Sequence, residues 1–171
     1  KITLNFAGHF TNGEGYYEQE KLDQDLLDYS LSNIILTNDT ITSTDLIRRK
    51  WLNNDFGGIT FSVKHVKENL NLTFGGAANK YSGQHYGNII WAEYSSNGKY
   101  NHEYYRNIAT KFDNNIYLKS NYKASNNTSI FMDLQLRTLN YEFNGNDISG
   151  ELDRQEVNLE FFNPKFGLSH Y

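Results

Sequence analysis

At 171 residues the chain is long enough for one ordinary domain and too short for two. A net charge of −4 and a pI near 5.7 leave no basic field for nucleic acid and no polybasic stripe for anionic lipid, so no nucleic-acid partner is expected. The absence of cysteine rules out a disulfide framework, a thiolate metal site and a thiol nucleophile. With 15% aromatic residues, 13 Gly and one Pro, the composition favours strands and turns, because aromatic rings pack well on pleated surfaces. No apolar run approaches the roughly 20 residues of a spanning helix. The mean hydropathy of −0.69 reads as that of a soluble protein, but a barrel strand needs an apolar residue only at every second position.

The first predicted strand covers Ile2 to Phe10, with Ile2, Leu4, Phe6 and Phe10 on one face and Thr3, Asn5 and His9 on the other. A second covers about Phe56 to Val66, where Ile59, Phe61 and Val63 oppose Thr60, Ser62 and Lys64. The third sets Leu70, Leu72 and Phe74 against Asn71, Thr73 and Gly75, and the short stretch between the two predicts a tight hairpin. The unit then repeats. Ile116, Leu118 and Tyr122 alternate with Tyr117, Lys119 and Asn121 before a turn at Ala124 to Thr128. The return strand opposes Ile130, Met132, Leu134 and Leu136 to Phe131, Asp133, Gln135 and Arg137. A last strand is expected after Pro164, with Phe166 and Leu168 opposing Lys165, Gly167 and Ser169, and the chain reads as a piece of a longer one.

Three long connections, near residues 11–55, 78–112 and 139–163, are rich in Asn, Asp, Gly and Tyr. Short and long connections therefore take turns. Soluble domains favour connections of about 4 to 6 residues, whereas an outer-membrane barrel has short periplasmic turns and long extracellular loops. A soluble sandwich or lipocalin-like barrel alternates in the same way, however, and residues alone leave the two readings near even.

Several phrases, in chain order, resemble the barrel of TonB-dependent receptors of Gram-negative bacteria. They are Gly15-Tyr16-Tyr17-Glu18-Gln19, the run from Asp45 through Arg48-Arg49-Lys50-Trp51 to Asp55-Phe56, and His85-Tyr86-Gly87-Asn88-Ile89-Ile90-Trp91-Ala92. Asn115-Ile116-Tyr117-Leu118-Lys119 and Phe161-Phe162-Asn163-Pro164-Lys165-Phe166-Gly167-Leu168 complete the series. Gly57 departs from it, standing where such relatives commonly have an aromatic residue. The resemblance implies a stretch of a 22-stranded barrel that, with an N-terminal plug, imports an iron chelate, cobalamin or a glycan using energy relayed by TonB. Neither plug nor TonB box is present in this sequence.

Among residues able to carry chemistry, Glu18, Glu20, Asp23, Asp25 and Asp28 form an acidic run without the spacing of a calcium loop, and a solvated loop is the simpler account. Leu22, Leu26 and Tyr29 have the spacing of a short helix within it. The five histidines lack zinc spacing, and no catalytic elbow, phosphate loop or HExxH occurs. No metal site or cofactor is nominated. The aromatics Tyr16, Tyr17, Trp51, Phe56, Tyr81, Tyr86, Trp91, Tyr94, Tyr104 and Tyr105 fall at expected strand ends or in loops, as an interfacial girdle would. Arg48, Arg49 and Lys50 beside Trp51 suit an anionic ligand or a lipopolysaccharide phosphate, or else ion pairs with the acidic run.

The expectation is an all-β chain, residues 1–171 forming one partial barrel domain of about six antiparallel strands in a meander. It is a segment of a large transmembrane β-barrel in the Gram-negative outer membrane, and not an enzyme. Its expected partners are outer-membrane lipid and lipopolysaccharide, a small-molecule or glycan ligand, and TonB through other parts of the full protein. The candidate ligand-binding residues, placed in loops, are Tyr16, Tyr17, Arg48, Arg49, Trp51, His85, Tyr86 and Trp91. The rivals are a self-contained soluble β-domain that binds a ligand or surface, and an outer-membrane barrel enzyme.

Overall fold

Period-2 alternation does organise this chain, but over far longer stretches than the apolar runs mark. The computed structural model describes residues 1–146 and 152–171. It contains β1 (Ile2–Asp25), a 3-10 turn (Leu27–Tyr29), β2 (Ile34–Ile35), β3 (Thr40–Ile41), β4 (Ser43–Lys67), β5 (Leu70–Ala92), β6 (His102–Lys123), β7 (Thr128–Asn146) and β8 (Leu152–His170). The six long strands form one antiparallel sheet in the order β1-β4-β5-β6-β7-β8, with β1 and β8 as open edges. The small β2–β3 hairpin is separate. Among the described residues no helix is long and apolar enough to cross a membrane, which says nothing of strands.

The expected hairpins are present, one turning at Glu68 and Asn69 and the other at residues 124–127. The long connections need correction. Most of residues 11–55 and 78–112 are strand, leaving residues 26–42 and 93–101 as the intervening segments. The described part of residues 139–163 is all strand, residues 147–151 lying outside the described residues. The physical reason is cross-strand pairing: Asn and Tyr side chains that read as loop find partners on the next strand. Asn12 Nδ2 donates to Asp55 Oδ1 at 2.8 Å, and Tyr81 Oη donates to Asn54 Oδ1 at 2.5 Å. β8 likewise begins well before Pro164, which is tolerated because on an edge strand its missing N–H has no ladder bond to lose.

Register carries each apolar run into line with the next. Leu4, Val63, Phe74, Leu118, Leu134 and Pro164 lie directly across from one another, and so do Phe6, Phe61, Gly76, Ile116, Leu136 and Phe162. The face bearing these rows is called the first face. At the same level the second face carries the ion pairs Lys119–Asp133 (3.6 Å) and Arg137–Asp113 (2.5 Å). On β7 and β8 the polarity then reverses further along the strands. Thr138, Asn140, Glu142, Asn158 and Glu156 occupy the first face, and Leu139, Tyr141, Phe143, Val157, Leu159 and Phe161 the second.

The buried core is elsewhere. Leu26, Tyr29, Leu31, Leu46 and Ile89 form it, with Ile41, Ala92 and Tyr104 packed around them. Residues 26–42 thus fold back over the second face at the end remote from the hairpin turns. Asp25 Oδ1 accepts from Leu27 N at 2.8 Å, and Ser30, in the left-handed region at φ 58°, ends the turn, so the helical spacing of Leu22, Leu26 and Tyr29 produces only one 3-10 turn.

Candidate functional site

Two surfaces carry chemistry, and the alternation of Arg48, Arg49 and Lys50 along β4 divides them. Arg49 points to the first face, where it pairs with Glu18 at 2.9 Å and stacks over Tyr16 at 4.5 Å. Tyr16, Trp51 and Tyr86 run across β1, β4 and β5 as one row. Trp51 and Tyr86 are stacked with centroids 5.8 Å apart and planes 5° apart. Arg106 caps Tyr86 at 4.3 Å and is itself bound to Glu103 at 2.6 Å. Both guanidinium groups of this row are therefore neutralised by carboxylates. The row lies six residues beyond Phe10 on β1, roughly 20 Å along the strand.

On the second face lies a groove of about 680 Å³ with Gly13 and Gly15 as its floor and Tyr17, Lys50, Leu52, Asn54, His85 and Tyr105 among its walls. Nothing stands within 4 Å of a Cβ built on Gly13 or Gly15, so the floor is open backbone. Arg48 and Lys21 share this face with Lys50. Arg48 is fixed by neutral acceptors: Nε and Nη2 donate to Gln19 Oε1 at 3.2 and 2.9 Å, and Nη1 donates to Tyr29 Oη at 2.9 Å. Tyr29 Oη donates in turn to Gln24 Oε1 at 3.0 Å.

Irregular pairing builds this corner. The ladder shifts at Lys21/Gln24, at Ile47/Arg48 opposite Ile89 and Trp91, and at Gly87/Asn88 opposite Tyr105 and Glu103. Such bulges re-aim side chains. The last one leaves Tyr104 as an extra residue, so Tyr104 and Tyr105 both lie over Gly87, where any Cβ would collide with their rings. Tyr104 in turn meets Tyr29 at 4.8 Å and Tyr105 at 5.0 Å. His102 Nε2 hydrogen-bonds to the Tyr29 carbonyl at 2.9 Å.

The electrostatics follow from this packing, which lies beyond the apolar rows. Burial holds the Lys50 ammonium below the usual lysine range, and Arg48 and Lys21 push it the same way. Burial raises the Tyr105 phenol, Tyr17 adds to the rise, and Arg48 opposes it. The Tyr104 phenol, buried beside Arg48 without a hydrogen bond of ordinary geometry, is pushed up to about 12, mainly by burial. Among the described residues neither Lys21, Arg48 nor Lys50 forms an ion pair; Glu14, which also lines the groove, accepts from Tyr86 Oη at 3.5 Å.

All eight ligand-binding candidates stand on strands, which corrects their placement in loops. Tyr17, Arg48 and His85 come together on the second face; Tyr16, Arg49, Trp51 and Tyr86 gather on the first, and Trp91 sits apart beyond the bulge, opposite Ile47. The acidic run is dispersed, with Glu18 on Arg49 and Asp25 at the turn. Among the described residues no group of His, Asp and Glu is placed to hold a metal. Lys50, which the sequence offers with Arg48 and Arg49 for an anionic ligand, and Tyr104 and Tyr105, which it offers only as girdle aromatics, are the site members that stand outside the eight. Parity gives part of the signal, since Lys50 must share a face with Arg48; the Tyr104 bulge leaves none. Comparison with protein-family profiles, curated proteins and solved structures finds no match to this chain.

Proposed function

We propose that this sheet is a section of the wall of an outer-membrane receptor barrel, of the TonB-dependent kind that the sequence resembles, and that the whole protein binds and imports a scarce nutrient such as an iron chelate, cobalamin or a glycan. The observation that carries the reading is the exposed apolar band. On the edge strands Ile2, Leu4, Phe6, Phe10, Phe166 and Leu168 stand at 65–74% exposure, on the inner strands Val63, Phe74, Ile116, Ile130 and Leu136 at 37–52%, and none of the band's residues belongs to the buried core. A self-sufficient soluble fold would seal such a band inside. From Phe112 to Tyr122 the band spans roughly 34 Å along β6, or about 25 Å along the membrane normal at the tilt usual for outer-membrane strands.

On this reading the first face meets acyl chains, and above the band it meets the lipopolysaccharide head-group layer. The second face, with its ion pairs Lys119–Asp133 and Arg137–Asp113, looks into an aqueous lumen, and the groove around Lys50 is on the ligand's path. The open edges of β1 and β8 expose unpaired backbone groups. Such groups require further strands in a bilayer, which supports a larger barrel.

The chain has no native cysteine, so single-cysteine variants at Leu118 and Lys119 can each carry one fluorophore in a reconstituted full chain. Brominated lipid is expected to quench the label at 118, and aqueous iodide the label at 119. Equal quenching of both labels by iodide would remove the lipid-facing assignment.

A further inference from the structure

The second-face groove is open, aromatic-walled and positively charged, while the neighbouring aromatic row on the first face has its arginines tied to Glu18 and Glu103. We propose that the groove binds an anionic ligand carrying a flat ring, such as an aryl carboxylate, sulfonate or phosphate, with Lys50 as the principal contact to the anion and Arg48 and Lys21 supplying field. The inference rests on the receptor-wall reading for the access of solvent to this face, and it adds the charge and shape of what is bound there.

Three observations converge. Lys21, Arg48 and Lys50 lie on one face of two paired strands, and like charges brought together repel unless something neutralises them. No carboxylate of the described residues forms an ion pair with them, and the fork of Arg48 is oriented by amide and phenol oxygens that leave its charge intact. Second, the ammonium of Lys50 is within 5.9 Å of the Tyr105 ring centroid, and Tyr105 is close enough to Tyr17 and Arg48 for each to act on its phenol. A ring inserted between Tyr17 and Tyr105 would have its charged substituent beside Lys50. Third, the floor at Gly13 and Gly15 is bare of side chains, so a flat group can approach the backbone closely.

Burial matters to the strength of the contact. A partly desolvated ammonium gains more from an anion than a fully hydrated one, because the local dielectric is lower. An anion there also relieves the repulsion among the three cations, which a neutral ligand of the same shape cannot do. Charge, more than area, therefore sets the selectivity.

The test uses the full chain in detergent or a nanodisc, with 1-naphthyl phosphate and its neutral counterpart 1-naphthol as probes, read by calorimetry at low and moderate salt. Wild type is expected to bind the phosphate more tightly, with affinity falling as salt rises. Lys50→Gln should weaken the phosphate about tenfold, the usual effect of losing one charge-assisted hydrogen bond, and change 1-naphthol less than about twofold. Lys50→Arg should restore most of the difference, and Arg49→Gln, on the other face, should change neither probe. Lys21→Gln gives an independent, smaller loss and serves if Lys50→Gln does not fold. The proposal is overturned by equal binding of the two probes to wild type, by no binding of either, or by an Arg49→Gln loss matching that of Lys50→Gln. Failure here with intact bromolipid quenching at position 118 refutes the site alone; loss of that quenching with phosphate binding retained refutes the membrane reading alone.

Discussion

Arg48 and Arg49 are consecutive in β4, yet their guanidinium groups stand on opposite faces of the sheet, Arg48 against Gln19 and Tyr29 and Arg49 against Glu18. The first holds a loop in place and keeps its charge; the second is neutralised. Their substitutions should differ accordingly. Arg48→Ala removes three hydrogen bonds around Tyr29 and Gln19 and should loosen residues 26–42 by about 1–3 kcal/mol, seen as faster proteolysis there. Arg49→Ala should leave the cleavage rate unchanged, as exposed ion pairs contribute little. Equal rates for the two variants would contradict this assignment.

Leu46 and Leu26 have no exposed surface, and together they seal residues 26–42 to β4. Leu46→Ala should cost this region about 2–5 kcal/mol through lost burial and the cavity left behind. The core joins residues 26–42 to β4 and β5 at Leu46 and Ile89, while among the described residues β7 and β8 contribute none of its members. Far-ultraviolet circular dichroism should therefore stay unchanged while hydrogen exchange of residues 26–42 rises. Loss of the strand signal along with it would show that the core supports the whole sheet.

Gly87 lies under two tyrosine rings with no room for a side chain. Gly87→Ala should displace Tyr104 or Tyr105 at a cost of about 1–3 kcal/mol, typical of overpacking, and should weaken 1-naphthyl phosphate binding while the charge of Lys50, its cross-strand neighbour, is kept. Unchanged affinity would mean that Tyr105 is not a wall of the binding groove.

The two faces of β6 give a paired test of the membrane reading. Leu118→Lys sets an ammonium on the first face and should destabilise insertion into bilayers by about 2–4 kcal/mol near the midplane. Lys119→Leu, one residue on, should be tolerated apart from the loss of its pairing with Asp133, whose side chain is largely covered. Folding titrations into lipid vesicles measure both, and a larger penalty for the second variant would reverse the faces.

Alkaline pH should release the cap over the second face. The Tyr104 phenol is raised by burial to about 12, and burial raises Tyr29 in the same direction. Above the ordinary tyrosine value near 10 the unfolded chain ionises while the folded one keeps its protons, so the unfolded state binds fewer protons and stability falls with rising pH. The contribution is complete below pH 10 and is lost between 10 and about 12. Absorbance at 295 nm should show late-titrating tyrosines, with one fewer in Tyr104→Phe. Titration of every tyrosine near pH 10 would show that Tyr104 is solvated.

The shift in parity along β7 shows how far reading by residue reaches. Leu134 and Leu136 occupy even positions, then Leu139, Tyr141 and Phe143 odd ones, a pattern that by residue alone reads as a strand followed by a loop. It is one strand whose apolar side changes face, a change visible in the sequence but interpretable only with β8 beside it, where Phe161, Leu159 and Val157 make the same switch. Tyr16, Trp51 and Tyr86 tell a similar story. Each looks like a loop aromatic alone, and only register makes them a row.

What can be had from the sequence alone is the phase of the side chains within each apolar run and the two short hairpin turns, since alternation between faces is a property of each strand's own backbone. Which polar stretches continue as strand, where the ladder bulges, and how Lys21, Arg48, Lys50, Tyr17 and Tyr105 come to share one groove were decided by the tertiary structure. Those outcomes depend on hydrogen-bond partners and steric room supplied by strands distant in the chain, and no local pattern encodes them.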